Sequence, residues 1–578
     1  MVHRRGRHRL EGPGHILVRA AWQRPGYLVA FALASVLSAV TGLLLPQLLA
    51  QTIDTVLHRG GTPDALVRLG LVVITGVAAQ AVAGLAGAAC VVGATVWLRR
   101  RLLQHIFALG PVRSARFAPG DLINRLLGDA AQTAQALPVM AGIGLSVGTS
   151  LGGAVALWLI DPLLGLTLLA GLPPIVLLMR RFMAGSTDLH TRYERTFTSI
   201  VVRLSDALTG VRTIRAAGTA GREVDRVLAP LPELGRTAQG MWQLQRRAVW
   251  KSMLLMPLME VAVLAVAGWA VAAGRIPPGQ LLAAGAYVGI ALGAIGQVDA
   301  LMGLSAARAS AGRVLEVLSQ PAPDTTGAPH PAPGGPGHIV FEAVTVRTGG
   351  QAVLDGIDLT VPAGTALALV GRSGAGKSTL AALAGRLRDA DQGTVLLDGT
   401  DITRLDAAAL RDRVAYAFER PALFGDTVAD AIAYARPSAT RADIERAAAA
   451  ARADTFIQRL PDGYDTPLAK TPLSGGEAQR LGLARAVAQD ARVLVLDDAT
   501  SSLDTVTEAE VSRALTELFK DRTRIIIAHR ASTAAHADLV AWLDEGRLRA
   551  VAPHAQLWRD PDYRAVFGTQ PAAPEETS

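Results

Sequence analysis

The sequence predicts two unlike parts in one chain: an α-helical transmembrane domain of six spans, followed by an α/β domain of the P-loop type. Three observations predict this. Half of the 578 residues are hydrophobic and only 18% are charged, against about 25% in a typical soluble chain; mean hydropathy is +0.31. Six almost uncharged stretches recur in the first half, each near or above the ~20 residues that span a bilayer. In the second half, short strand-like runs alternate with Ala/Arg-rich helical patterns, and one strand runs into a G-x-x-x-x-G-K-S loop.

Residues 1–24 form a basic N-terminal segment with Arg4, Arg5, Arg7, Arg9, Arg19 and Arg24, and the apolar stretch that follows is too long for a signal-peptide core. The membrane domain, 25–320, contains the spans Pro25–Ile53, Leu69–Leu98, Ala130–Ile160, Pro162–Met179, Ser252–Gly274 and Ile276–Val298. Six spans put both termini on one side. The segments on that side carry the arginines, from Arg99–Arg101 through Arg180, Arg181 and Arg246, so the positive-inside rule makes the termini and the second domain cytoplasmic and places the chain in a cytoplasmic (inner) membrane. Two long cytoplasmic excursions keep helical periodicity, as at Leu122, Leu126 and Leu127, and read as extensions of the membrane helices. The net charge of +8 belongs to these loops. With 4% aromatics and no basic run interleaved with rings, nucleic acid is excluded as a partner. A single cysteine, Cys90, rules out a disulfide framework. Glu260 interrupts the fifth span alone; a carboxylate inside a span is costly, which makes it a candidate substrate-cavity group.

Residues 321–337 are rich in Pro and Gly and form a linker. The second domain covers 338–567 and a tail covers 568–578. The strand Thr365–Val370 leads into Gly371, Arg372, Ser373, Gly374, Ala375, Gly376, Lys377 and Ser378, then a helical stretch from Thr379. Glycines let backbone N–H groups close on phosphate oxygens, and the helix N-terminus adds its positive dipole end. Lys377 is placed for the β- and γ-phosphates and Ser378 for Mg²⁺. A second apolar strand, Arg492–Leu496, ends in Asp497 and Asp498; Asp497 is placed to hold Mg²⁺. Leu473-Ser474-Gly475-Gly476-Glu477, Ser501–Asp504 and, after another strand, His529 complete an ordered set.

In that order and spacing the chain resembles the ATP-binding cassette (ABC) superfamily, specifically exporter-type half-transporters. The resemblance covers residues 20–565. It implies that Gly371–Thr379 bind ATP as the Walker A motif and that Asp497 is the Walker B aspartate. Ser474, Gly475, Gly476 and Glu477 match the signature that caps ATP held by a partner chain. Asp504 matches the D-loop and His529 the switch histidine. Gly120-Asp121-Leu122 with Arg125 and Asp129, and Gly210–Ala216, resemble the two intracellular loops that press on the ATP-binding domains. One cassette per chain implies a dimer, with ATP and Mg²⁺ as cofactors and membrane lipid around the spans.

Four positions depart from the family pattern. Asp498 stands where a longer Glu usually serves as general base, Glu419 where Gln is usual, and Arg347 and Thr348 where an aromatic normally stacks on adenine. The stretch before the signature is also shorter than usual. The expectation is therefore a subunit whose own site, with Asp498, His529 and Glu419 around the γ-phosphate, hydrolyses weakly. A heterodimer is favoured over a homodimer, with an ATP-sensing regulatory or gating subunit as a further alternative. The cargo, a small molecule, peptide or lipid, is open.

Overall fold

The computed structural model describes residues 14, 16, 19–20, 22–59, 63–321, 334–500 and 505–568. The chain divides into two compact units: residues 1–105 with 118–319, and residues 106–117 with 320–578.

Every regular element described in the first unit is a helix. The long ones are Pro25–Arg59, Pro63–Ser114, Ala136–Ile160, Pro162–Thr209, Leu231–Ala272, Pro278–Leu292 and Val298–Leu318. Gly110, at φ +72°, breaks the second of them, and the residues around it group with the other unit. Five stretches are long and apolar enough to cross a membrane: Pro25–Val56, Pro63–Gly110, Pro119–Ile160, Leu254–Ala272 and Pro278–Leu318. The fourth span expected from sequence is a shorter apolar stretch, Pro162–Leu178, at the start of a helix that runs on to Thr209.

Local chemistry fixes where these helices turn. Asp161 caps the Pro162 helix by accepting the N–H of Leu163 at 2.9 Å, with Pro162 in the first turn where no N–H is needed. The same carboxylate, nearly fully buried, pairs with Arg275 at 2.6 Å. Asp54 accepts the N–H of Gly279 at 2.7 Å, and a Cβ on Gly279 would lie 2.3 Å from the Ala50 carbonyl oxygen, so this helix start demands glycine. Between Pro119–Asn124 and Ala130–Ala134 the chain makes a π-helical turn, Arg125–Asp129. Arg99 donates to the carbonyls of Leu126 and Leu127 in that turn. Arg125 bonds Asp121, Glu316 and the Arg313 carbonyl, and Asp129 receives two bonds from Arg313. The helical periodicity expected through Leu122, Leu126 and Leu127 holds across this turn, and Arg125 and Asp129 are buried within it, because opposite charges on Asp121, Glu316 and Arg313 neutralise them.

The second unit holds two sheets. A four-stranded antiparallel sheet has the order β2-β1-β4-β5, with β1 Ile339–Thr348, β2 Gln351–Val361, β4 Gln392–Leu397 and β5 Thr400–Asp401. A six-stranded sheet has the order β10-β9-β3-β8-β7-β6. In it β3 (Ala366–Val370), β6 (Val414–Phe418), β7 (Val493–Asp497), β8 (Thr523–Ile527) and β9 (Leu539–Asp544) run parallel, and β10 (Arg547–Ala552) closes the edge antiparallel. The central strand β3 is buried at all five positions, the continuous apolar run expected of a strand covered on both faces. The apolar core gathers side chains such as Leu367, Leu369, Val493, Val495, Ile525 and Ile527. Because the strands are parallel, β3, β6, β7 and β8 end on the same edge, and the residues that follow them are delivered there together.

Candidate functional site

At that edge β3 opens into Gly371–Gly376, and the helix Lys377–Ala384 begins two residues before the position expected from sequence. Close packing explains the glycines. A Cβ on Gly371 would lie 2.3 Å from the Leu543 carbonyl oxygen. Gly376 has φ +97°, and a Cβ there would lie 2.8 Å from the Val353 carbonyl oxygen. Lys377 is 6% exposed; its Nζ donates to the carbonyl oxygens of Gly371 at 2.7 Å and Arg372 at 3.1 Å. Burial lowers its pKa, against the pull of Asp498 and Asp497. The ammonium therefore sits inside the curl of the loop, among backbone amides that can face phosphate.

Register brings the other groups to it. Asp497 ends β7 opposite Phe418 at the end of β6, and Glu419 follows Phe418. Ser378 donates its hydroxyl to Asp497 at 3.0 Å. Burial, with Asp498 and Glu419 adding repulsion, raises the pKa of Asp497. The Ser378 hydroxyl beside the partly buried Asp497 carboxylate is a pair of oxygen donors that would suit a hard divalent cation, with Glu419 near enough to act on Asp497 electrostatically. His529, two residues past β8, points Nε2 at Asp498 Oδ1 across 3.1 Å. Asp498 itself has φ +52°, a left-handed backbone that Asp tolerates better than most side chains.

Ser474 begins the helix Gly475–Ala488 with a capping box: its hydroxyl accepts from the N–H of Glu477, and its own N–H and hydroxyl donate to the Glu477 carboxylate at 2.8 Å each. Those bonds hold the Glu477 pKa down. The same helix reaches the strand-end edge through Gln479, which donates to the Glu419 carbonyl at 2.8 Å. The structure thus gathers Lys377, Ser378, Glu419, Asp497, Asp498 and His529 at one edge. Ser474 and Glu477 bond to each other, and Asp504 lies outside the described residues. Glu260 is an exposed side chain in the apolar stretch Leu254–Ala272. The sequence reading missed Arg388, whose Nη2 donates to the Arg347 carbonyl at 2.7 Å and to Thr348 Oγ1 at 2.9 Å. No local pattern marks it, because the contact joins residues 40 positions apart.

Comparisons with known proteins agree with this geometry. Residues 28–295 match the family model for the ABC transporter transmembrane region, and residues 354–501 match that for the ABC transporter. The ABC transporter ATP-binding protein RamA of Streptomyces coelicolor is 43% identical over 540 residues, covering 93% of this chain and 85% of RamA. An ATP-dependent lipid A-core flippase of Chromohalobacter salexigens is 33% identical, covering 82% of this chain and 83% of the flippase. The multidrug efflux ATP-binding/permease protein Rv0194 of Mycobacterium tuberculosis is 34% identical, and this chain spans 40% of its length. Among solved structures, a bacterial Atm1-family ABC exporter with ATP bound superimposes with a TM-score of 0.79 at 25% identity, covering 96% of this chain and 99% of that one.

A helical membrane region and a P-loop α/β domain fused in one chain define an ABC transporter. This chain belongs to that family, and within it to the exporter-type half-transporters: multi-pass membrane proteins that bind ATP, act as dimers and couple ATP hydrolysis to export.

Proposed function

We propose that the chain is one subunit of a heterodimeric exporter whose own ATP site hydrolyses weakly, while its signature completes a competent site on the partner. The observation that carries this reading is the carboxylate after the Walker B strand. Asp498 is held by His529, yet it is one methylene, about 1.5 Å, shorter than Glu. A base out of hydrogen-bond reach of the attacking water forfeits about 10²- to 10⁴-fold in rate.

In this reading the backbone amides of Gly371–Ser378 cradle the β- and γ-phosphates and Lys377 offsets their charge. Ser378, Asp497 and Glu419 would hold the Mg²⁺ that, when bound, would neutralise charge on the phosphoryl oxygens. His529 Nε2 donates to Asp498 and keeps that carboxylate oriented toward the water it deprotonates. Ser474, with the amides that follow it, caps the γ-phosphate on the partner. ATP bound between two cassettes favours one arrangement of the membrane helices and hydrolysis releases it, which is alternating access by population shift. The chain sits in the cytoplasmic membrane with its termini and cassette inside.

For cargo we favour a lipid or other amphipathic molecule. A cavity of about 550 Å³ in the membrane unit is lined by uncharged side chains including Leu28, Phe31, Ser35, Leu43, Leu145 and Thr149. The names of two relatives, a lipid A-core flippase and a multidrug efflux protein, point the same way. Glu260 adds one carboxylate that a cationic group on the cargo could meet.

A homodimer is the second reading, and the intact His529–Asp498 contact favours it. Steady-state ATPase activity of the purified full chain in lipid separates the two. The heterodimer reading expects near-background activity for the wild type and a gain of at least about tenfold in Asp498→Glu. Brisk wild-type activity, abolished by Lys377→Ala, establishes the homodimer instead.

A further inference from the structure

Two long helices of the membrane unit, Pro162–Thr209 and Leu231–Ala272, pack antiparallel. Gly171 faces the Met259 side chain and Gly240 faces that of Leu189, a register in which Arg180 lies level with Trp250. The apolar stretches of the same helices, Pro162–Leu178 and Leu254–Ala272, end at that level too. At about 1.5 Å per residue, Arg180, Arg181, Trp250 and Lys251 fall within about 6 Å of those ends, and Arg246 and Arg247 within about 10–12 Å. The headgroup zone of a bilayer is about 5–8 Å deep on each side. Packing register and hydropathy therefore mark one boundary independently.

The charge at this boundary is unbalanced. Arg180, Arg181, Arg246, Arg247 and Lys251 are all exposed, and among the described residues none of them has an ion-pair partner. The sequence holds no Asp or Glu from Pro162 to Thr187 or from Leu234 to Met259. Asp188, the nearest carboxylate along either helix, already pairs with Arg192 at 3.1 Å. Other arginines at span ends are engaged within the chain: Arg24 lies over the Tyr27 ring, Arg101 over the Trp97 ring, and Arg99 donates to the Leu126 and Leu127 carbonyls. Trp250, among the unpaired cations, is 73% exposed. An indole so placed suits the headgroup level, where its ring meets acyl chain and its N–H meets polar groups.

We propose that this belt binds anionic phospholipid headgroups of the cytoplasmic leaflet, with phosphodiesters on Arg180, Arg181 and Lys251 and with Trp250 at the level of the glycerol backbone. Charge complementarity selects the occupant. A zwitterionic headgroup carries its own cation, so its phosphate gains little from a basic belt. An anionic headgroup cancels a repulsion that no carboxylate on these two helices relieves. Arginine takes phosphate through two parallel N–H donors, and lysine takes it as a point charge. A second copy of the chain that brought its own belt to this face would set like charges against like. The inference rests on the membrane topology and is independent of how the ATP site is read.

Quenching of tryptophan fluorescence by brominated lipid tests this. The full chain is reconstituted in vesicles of equal parts phosphatidylcholine and phosphatidylglycerol, with bromine on the acyl chains of one lipid or the other. The Trp250 contribution is the difference between wild type and Trp250→Phe. Around Trp250, phosphatidylglycerol should be favoured over phosphatidylcholine by at least about fivefold at low salt, and the ratio should fall toward unity at high salt. The ratio should drop to within about twofold of unity when Arg180→Gln, Arg181→Gln and Lys251→Gln are combined, and stay within about twofold of wild type when Arg180→Lys and Arg181→Lys are combined, since that pair keeps the charge. The salt comparison uses wild type alone and needs no variant to fold. Equal quenching by the two lipids in wild type, or a preference that salt or the folded glutamine variant leaves unmoved, overturns the inference. So does a Trp250 signal that neither lipid quenches, because protein, such as a second copy of the chain, then covers this face.

Discussion

The two units both bury an aliphatic core but differ in what they turn outward. In the nucleotide unit the strands β3 and β7 are sealed in aliphatic neighbours, and β7 meets charge only at its end, Asp497. In the membrane unit large aliphatic side chains face outward: Ile74 is 69% exposed, Leu85 75% and Leu159 79%. Its interior holds an aliphatic cluster with Leu157, Leu164 and Val263 together with Thr133 and Ser150, and just before the third expected span it buries the ion-paired Arg125 and Asp129. Where lipid is the solvent, apolar area gains nothing by turning inward, so helices associate through small residues, polar contacts and close packing. Gly153 illustrates this: a Cβ there would lie 3.1 Å from the Tyr287 carbonyl oxygen on the neighbouring helix. The difference teaches that a charged residue has no fixed meaning in a sequence. Asp497 and Asp129 look alike as letters, yet one ends a strand at a chemical edge and the other is half of an ion pair between helices.

The comparison is broken most severely by removing one partner of the buried cluster. Arg313 donates to Asp129 through Nε at 2.9 Å and to Ser310, and Asp129 is 4% exposed. Arg313→Ala leaves that carboxylate buried without its main partner, and the expected cost is about 3–5 kcal/mol. Thermal unfolding of the detergent-solubilised chain reads it. Asp129→Asn in the Arg313→Ala background should recover much of the loss, since the orphaned charge is then gone. If Arg313→Ala unfolds within a degree of wild type, the cluster is solvated and the membrane unit's interior resembles an ordinary surface.

A milder change sharpens the same contrast. Tyr287 is buried in the membrane unit and donates its hydroxyl to the Leu43 carbonyl at 2.8 Å. Tyr287→Phe keeps the ring and removes one interhelical bond, worth about 0.6 kcal/mol in membrane proteins. The corresponding change in the nucleotide unit is Tyr416→Phe, which removes a hydroxyl that donates to the Ala381 carbonyl at 2.9 Å and accepts the N–H of Gly385 at 2.8 Å. That orphans a buried donor and should cost more, about 1–3 kcal/mol. Equal effects in the two units would show that solvent matters less to these bonds than the burial pattern implies.

How much was legible follows the same division. The P-loop, Asp497 and His529 were readable because each motif is local and its chemistry demands those residue types at those spacings, whereas the order of the strands in the sheet was not read. The spans were readable because lipid imposes length and charge limits. Arg388 and the role of Asp129 were not, since both depend on partners 40 and 184 positions away. The backbone of Asp498 was also hidden. Its φ of +52° gives a physical reason for Asp rather than Glu, because a short acceptor side chain is the better tenant of a left-handed residue.

The smallest expected effect concerns acid. His554 is enclosed by Tyr563, Trp558 and Phe567, with Nδ1 2.9 Å from the Tyr563 hydroxyl, and burial lowers its pKa. Its folded pKa thus lies below that of the unfolded chain, about 6.5. Below that pH the unfolded state binds more protons, so the stability His554 contributes is fully present above about pH 6.5 and is lost as pH falls through the folded value. His554→Gln should flatten the fall in unfolding temperature of the nucleotide unit between about pH 6.5 and pH 5, and leave the membrane unit's transition unmoved. A fall that is as steep in the variant would assign the acid sensitivity to carboxylates elsewhere, and the aromatic cage would then be packing alone.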